Sequence, residues 1–170
     1  MSNNIVLIGD LHAAVDDAPP PPAPQPEPGD APAREPRAVV IVVDLRDTAS
    51  KGDAKAALRR AAEVAVDAAR GYAKVRHVVI AAKLNPAVTR SFDRLASAVA
   101  TRFHSQLERA LGRDIEFTLL DITDCTDAAA LLGRLRERAD DPAGVHGVVV
   151  LNWDDIVRAP IAQAAREQYF

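Results

Sequence analysis

The chain has 170 residues, 48% of them hydrophobic and 26% charged, enough for one domain with a self-sufficient core. Its formal net charge of -3 excludes the strongly basic surface that a nucleic-acid partner requires, and no apolar run reaches the ~18 residues needed to span a bilayer. The single cysteine, Cys125, excludes an internal disulfide framework and fits a reducing compartment, so the cytoplasm is the expected location.

The first predicted element is a strand in "NIVLIGD", residues 4–10. The opening carries no basic flank, and Asp10 and His12 interrupt its apolar run, so it is not read as a secretion signal. Nine of the twelve prolines follow in "PPPPAPQPEPGDAPAREP", residues 19–36. Proline fixes φ and removes a backbone donor, so residues 19–37 are expected to form an extended tether. It would join an N-terminal strand segment, 1–18, to an α/β domain, 38–170.

Beyond the tether, "AVVIVVDL" (38–45), "VRHVVIAA" (75–82), "IEFTLLDI" (115–122) and "GVVVLNW" (147–153) are near-continuous apolar runs. Such runs mark strands buried on both faces, as parallel sheets require. Three helices are predicted between them. The first runs from an N-cap at Asp53 to Gly71, the second from Asn85-Pro86 to Gly112, and the third begins after Asp124 or Thr126. A short helical tail is expected over 160–170. In the third helix Arg134, Arg136 and Arg138 read as a solvated face. The pattern defines a Rossmann-like α/β fold: a mostly parallel sheet of about five strands with flanking helices.

Parallel crossovers are nearly always right-handed, so four consecutive strands would place all three connecting helices on one face. The other face would be apolar too, with Val40 and Val42 beside Val39, Ile41 and Val43. Covering it would require a reversal of strand order, the terminal tail, or a partner or second copy, and the last is the expectation. Alanines in the first two helices, among them Ala96, Ala98, Ala100 and Ala110, would also admit a neighbouring helix.

From Ala38 to Trp153 the order and lengths of these elements resemble the later half of a short-chain dehydrogenase/reductase. The local echo is "GRDIEFTLLDITDCTDAAALLGRLRERADDPAGVHGVVVLNW", together with the long helix in "SFDRLASAVATRFHSQLERALGRDIEF". The resemblance implies a Tyr-x-x-x-Lys pair at the start of that helix, where this chain has Phe92 and Ala96. A phenyl ring has no proton to donate, and a methyl group cannot lower a hydroxyl's pKa. The serine implied at the end of the preceding strand is replaced by Ala82 and Lys83. Arg46-Asp47 stand where Asn-Ala-Gly is implied, and the first strand is followed by one glycine, Gly9, rather than a glycine-rich pyrophosphate loop. The expectation is a pseudoenzyme with no catalytic residues, no cofactor and no metal, associating with itself or with an active reductase.

The alternative is a metal-dependent hydrolase or phosphate-ligand binder. The carboxyl ends of the strands carry Asp10 and His12, Asp44 and Asp47, Asn85, Asp121 and Asp124, then Asn152, Asp154 and Asp155. Convergence of Asp44, Asp121 and Asp154 could hold a hard cation. "IGDLHA" also resembles the Gly-Asp-x-His start of metallophosphoesterases, without that family's later motifs. Cys125 is expected to be an inert thiol. His12, His77, His104 and His146 lack metal-ligand spacing, and Trp153 reads as a core or interface anchor. A third expectation has the tether presenting the N-terminal strand to a neighbour.

Overall fold

The computed structural model describes residues 4–16, 35–85, 89 and 92–168, with residues 92–95 described in backbone alone. Most of the predicted tether and Pro86 at the predicted start of the second helix lie outside the described residues.

Five strands form one all-parallel sheet in sequential order, β1 (Ile5–Ile8), β2 (Ala38–Leu45), β3 (His77–Leu84), β4 (Glu116–Asp121) and β5 (Val148–Asn152). Among the described residues six helices accompany them: α1 (Leu11–Val15), α2 (Lys51–Arg70), α3 (Phe92–Leu111), α4 (Ala128–Asp140), α5 (Trp153–Val157) and α6 (Ile161–Glu167). The Rossmann-like α/β class read from the sequence is the observed one. β1 pairs with β2 from Ile5 opposite Ala38 to Ile8 opposite Ile41, so the N-terminal segment is part of the sheet rather than an arm offered outward.

Caps correct two predicted boundaries and open one further helix. Ser50, not Asp53, opens α2, its hydroxyl accepting the Asp53 N–H at 3.2 Å. Asp127, not Asp124 or Thr126, opens α4 by accepting from the Ala130 N–H at 2.8 Å. Asn152 and Asp155 form a reciprocal capping box that starts α5, a helix the sequence pattern did not reveal. At the predicted opening of the second helix, Thr89 donates its N–H to the Asn85 carbonyl four residues back.

Both faces of the sheet are covered within this one chain, the second in part by the terminal tail, which overturns the expectation of a face left for a partner. Val39, Ile41, Val78, Ile80, Phe117 and Leu119 meet α2 and α3. Ala38, Val40, Val79, Ala81, Leu120, Val149 and Leu151 meet α1, α4, α5 and α6. Each fully buried Leu, Ile, Val or Phe contributes roughly 1.5–3 kcal/mol of transfer free energy, so the covering is energetically strong. Phe103 of α3 adds an edge-to-face contact with Phe117, ring centres 6.2 Å apart. Of the alanines expected to admit a neighbouring helix, Ala96 and Ala100 are buried in the core, as are Ala54, Ala61, Ala62, Ala65 and Ala69 of α2, while Ala98 and Ala110 are exposed.

The cover comes from α1, α5 and α6 and from a change of hand in one of the three crossovers between β2 and β5. The strands advance by one position each time, yet α2 and α3 lie on one face and α4 on the other. The β4–α4–β5 connection therefore has the opposite hand to the two before it, a rare event among parallel crossovers. α4 does not lie between the strands it joins but packs over β1 and β2, against α1 and α6. The chain then returns through residues 141–147, past the amino ends of β3 and β4, to reach β5.

The edges are modestly protected. The Gln168 side chain donates to the Val150 carbonyl of β5 at 2.6 Å. Exposed large apolar side chains are scattered: Leu7, Val64, Val145 and Val157. No helix among the described residues is long and apolar enough to cross a membrane.

Candidate functional site at the carboxyl edge

In open α/β sheets ligands bind beyond the carboxyl ends of strands, where successive helices leave for opposite faces. This sheet has two such crevices. One lies between β1 and β2, since α1 and α2 diverge, and one between β3 and β4, since α3 and α4 diverge.

The β1/β2 crevice is closed by backbone and by charge. Gly9 leaves β1 at φ 102°, and a Cβ there would stand 2.6 Å from the Val42 carbonyl oxygen. Only glycine allows so close an approach in that conformation. Asp10 is spent as the N-cap of α1, accepting from the Ala13 N–H at 2.9 Å.

Above them the Arg46 guanidinium forks onto Asp44, with Nε 3.0 Å from Oδ1 and Nη2 2.6 Å from Oδ2. The same group donates from Nη1 to Asp16 Oδ1 at 2.5 Å and from Nη2 to the Ala13 carbonyl at 3.1 Å. Lys83 Nζ lies 3.5 Å from the other oxygen of Asp16, Oδ2, at the end of a side chain only 9% exposed. Hydrogen bonds from Arg46 hold the Asp16 and Asp44 carboxyls below the usual carboxylate range, outweighing partial burial. Two cations thus meet two anions, and the cluster carries no net charge.

The β3/β4 crevice is closed by polar cross-links. Asp121, 8% exposed, accepts from the Thr123 N–H at 2.8 Å and its hydroxyl at 2.5 Å. The Thr123 hydroxyl oxygen accepts the Leu84 N–H at 3.0 Å; Asn85, just past β3, turns instead to the end of β2, donating from Nδ2 to the Arg46 carbonyl at 2.7 Å.

The carboxylates of the alternative reading are therefore divided. Asp44 serves Arg46, Asp121 serves Thr123, and Asp154 lies exposed in the first turn of α5. Asp47 and Asp124 are exposed. Among the described residues no three His, Cys, Asp or Glu side chains gather to hold a metal ion. At the positions implied by the dehydrogenase resemblance, Phe92 is the first residue of α3, and Ala96 is fully buried in the core. Cys125 is buried with its thiol 3.5 Å from the Asp127 carbonyl, and Trp153 is a core residue at 8% exposure.

A second charged cluster, at the amino edge, escaped the sequence reading. Glu116 and His77, register partners at the starts of β4 and β3, are 2% and 1% exposed. Glu116 Oε2 accepts from Arg138 Nη2 at 2.6 Å, while Oε1 accepts from the N–H groups of Val145 and His146 at 2.6 and 2.9 Å. His77 Nδ1 lies 3.5 Å from Glu116 Oε2, and its Nε2 is hydrogen-bonded to the Asp141 carbonyl at 3.0 Å.

Burial pushes the Glu116 carboxyl up, but the His146 N–H, the Arg138 charge and the Val145 N–H prevail and hold it below its ordinary value. Burial, then the Arg138 charge, pushes the His77 imidazole down. The expected solvated arginine face is corrected here. The Arg138 side chain is 0% exposed, and Arg134 donates to the Ile156 carbonyl at the end of α5. The cluster binds the reversed crossover loop to the sheet it passes.

Comparison with protein-family models, with curated proteins and with solved structures finds no match for this chain.

Proposed function

We propose that this chain is a non-catalytic, short-chain-dehydrogenase-like subunit that works by association with a second copy or with an active reductase. With the sheet covered on both faces, the contact falls on the outer surface of α2 and α3. Support for a non-catalytic role comes from the carboxyl edge, where both crevices are filled by the chain's own charged and polar groups.

The observation that carries the contact is at the middle of α2. Val64 is 44% exposed there, with Arg60 one turn before it and Asp67 one turn after. Two α2 helices crossing antiparallel at Val64 would set Arg60 of each against Asp67 of the other, a self-complementary two-fold arrangement. Beside it a concavity of about 580 Å³ between α2 and α3, lined by Arg59, Glu63, Arg70, Arg102 and Gln106, offers polar rim contacts.

Size-exclusion chromatography with light scattering tests this reading. A dimer that dissociates in high salt and in Arg60→Asp, and returns in Arg60→Asp/Asp67→Arg, is the expected result. A monomer at every concentration, with no complex formed with an active reductase, would overturn it.

A further inference from the structure

The carboxyl-edge cluster has a feature that its neutrality conceals. Lys83 stands on the central strand β3 with nine-tenths of its side chain buried, yet its nearest anion is the carboxylate of a residue whose own side chain is 62% exposed. A buried ammonium needs a counter-charge at close range. Here that charge is delivered from outside the sheet, by Asp16 at the end of α1.

The delivery uses both carboxylate oxygens, one per cation: Oδ1 to Arg46 Nη1 and Oδ2 to Lys83 Nζ. Asp16 makes these contacts from a left-handed backbone conformation, φ 57°, which disfavours side chains in general and is the only such non-glycine residue among those described. The site also lies against the crevice where α1 and α2 diverge, the place at which a sheet of this class receives ligands.

We infer that Arg46 and Lys83 form a carboxylate-binding clamp at the carboxyl ends of β2 and β3, occupied by the chain's own Asp16. The occupant identifies the chemistry. One planar carboxylate bridges a guanidinium and an ammonium, while Asp44, already forked onto Arg46, limits the site to a single further negative charge. A ligand of this class, a small carboxylic acid or the carboxylate of a peptide, takes the position of Asp16 once α1 gives it up. The inference is independent of the association proposed above, because the clamp and the outer face of α2 and α3 are different surfaces.

Asp16→Gly tests it, since glycine removes the carboxylate and suits the backbone conformation. Asp16→Asn, also at ease in that conformation, serves as a second variant. Thermal unfolding is measured in sodium acetate and in sodium chloride at equal ionic strength. At saturating acetate each variant is expected to gain roughly 2–4 °C over chloride. The wild-type protein gains nothing, and the gain is lost when Lys83→Met is added. An equal acetate response in wild type and both variants, or a response that survives Lys83→Met, would overturn the clamp. Stabilisation by inorganic phosphate but not by acetate would overturn its assignment to carboxylates.

Discussion

At the amino edge of the sheet Glu116, Arg138 and His77 are each no more than 2% exposed, and the carboxylate touches two backbone N–H groups of the returning loop. At the carboxyl edge Asp16, Asp44 and Arg46 keep side-chain exposures of 62%, 43% and 37%, and of that cluster Lys83 alone is buried, at 9%. Both clusters join residues far apart in sequence, but water reaches only one of them. A sealed charge pair must remain intact because neither partner can turn to solvent, whereas a wet one exchanges partners at little cost. The amino edge thus secures the reversed crossover, and the carboxyl edge, where ligands bind in this class, retains exchangeable contacts.

The sharpest way to break this contrast is to remove one buried partner. Arg138→Met should cost about 3–5 kcal/mol in denaturant unfolding at neutral pH, because Glu116 is left charged and sealed from water. Adding Glu116→Gln should recover most of that loss, as one unpaired charge disappears. A single-variant loss below about 1 kcal/mol would mean that water reaches Glu116 and that the edges do not differ.

Next in size is a backbone change. Gly9→Ala forces a side chain into a left-handed conformation and against the Val42 carbonyl, and should cost at least the roughly 1–3 kcal/mol of a strained residue. Its measurement by the same unfolding curve sharpens the comparison. The carboxyl edge would then be rigid through its backbone while its charges stay exchangeable.

The strands and the long helices were legible because apolar periodicity and alanine content act locally. The hand of the β4–α4–β5 connection was not, because it depends on where a 13-residue helix finds room and not on the residues that form it. Arg138 left a signal that was readable in hindsight. It follows Leu131 by seven and Leu135 by three, which places it on the buried stripe of α4, while Arg136 falls on the opposite side. Glu116, a charge within an apolar strand, was its natural counterpart. The Arg46–Asp16 contact spans 30 residues, most of them the predicted tether, and no spacing rule could announce it.

A smaller effect comes from pH. His77 has a depressed pKa in the fold, so the native protein stays neutral there while the unfolded chain takes up a proton below about 6.5. Stability from this group is complete above that value and declines as pH falls towards the folded pKa. Glu116, also depressed, adds a second loss beginning below its ordinary value near 4.5. The slope cannot exceed about 1.36 kcal/mol per pH unit for each proton. Unfolding free energies at several pH values between neutrality and about 5 should therefore decline in wild type. In His77→Phe the decline should be shallower over the upper part of that range, and equal slopes would place the protonation elsewhere.

The smallest expected change is at the carboxyl edge itself. Arg46→Met removes four side-chain hydrogen bonds to Asp16 and Asp44, more than Arg138→Met removes from Glu116. Counting bonds would therefore rank it as the more damaging substitution. Exposure reverses the ranking: both carboxylates left behind are open to water, and salt already screens them. The unfolding midpoint should shift less than for any variant above, and less again at about 1 M salt, where the Debye length is about 3 Å. A loss as large as that of Arg138→Met would show that the wet cluster is as integral to the fold as the dry one. Asp16 could not then be an exchangeable occupant.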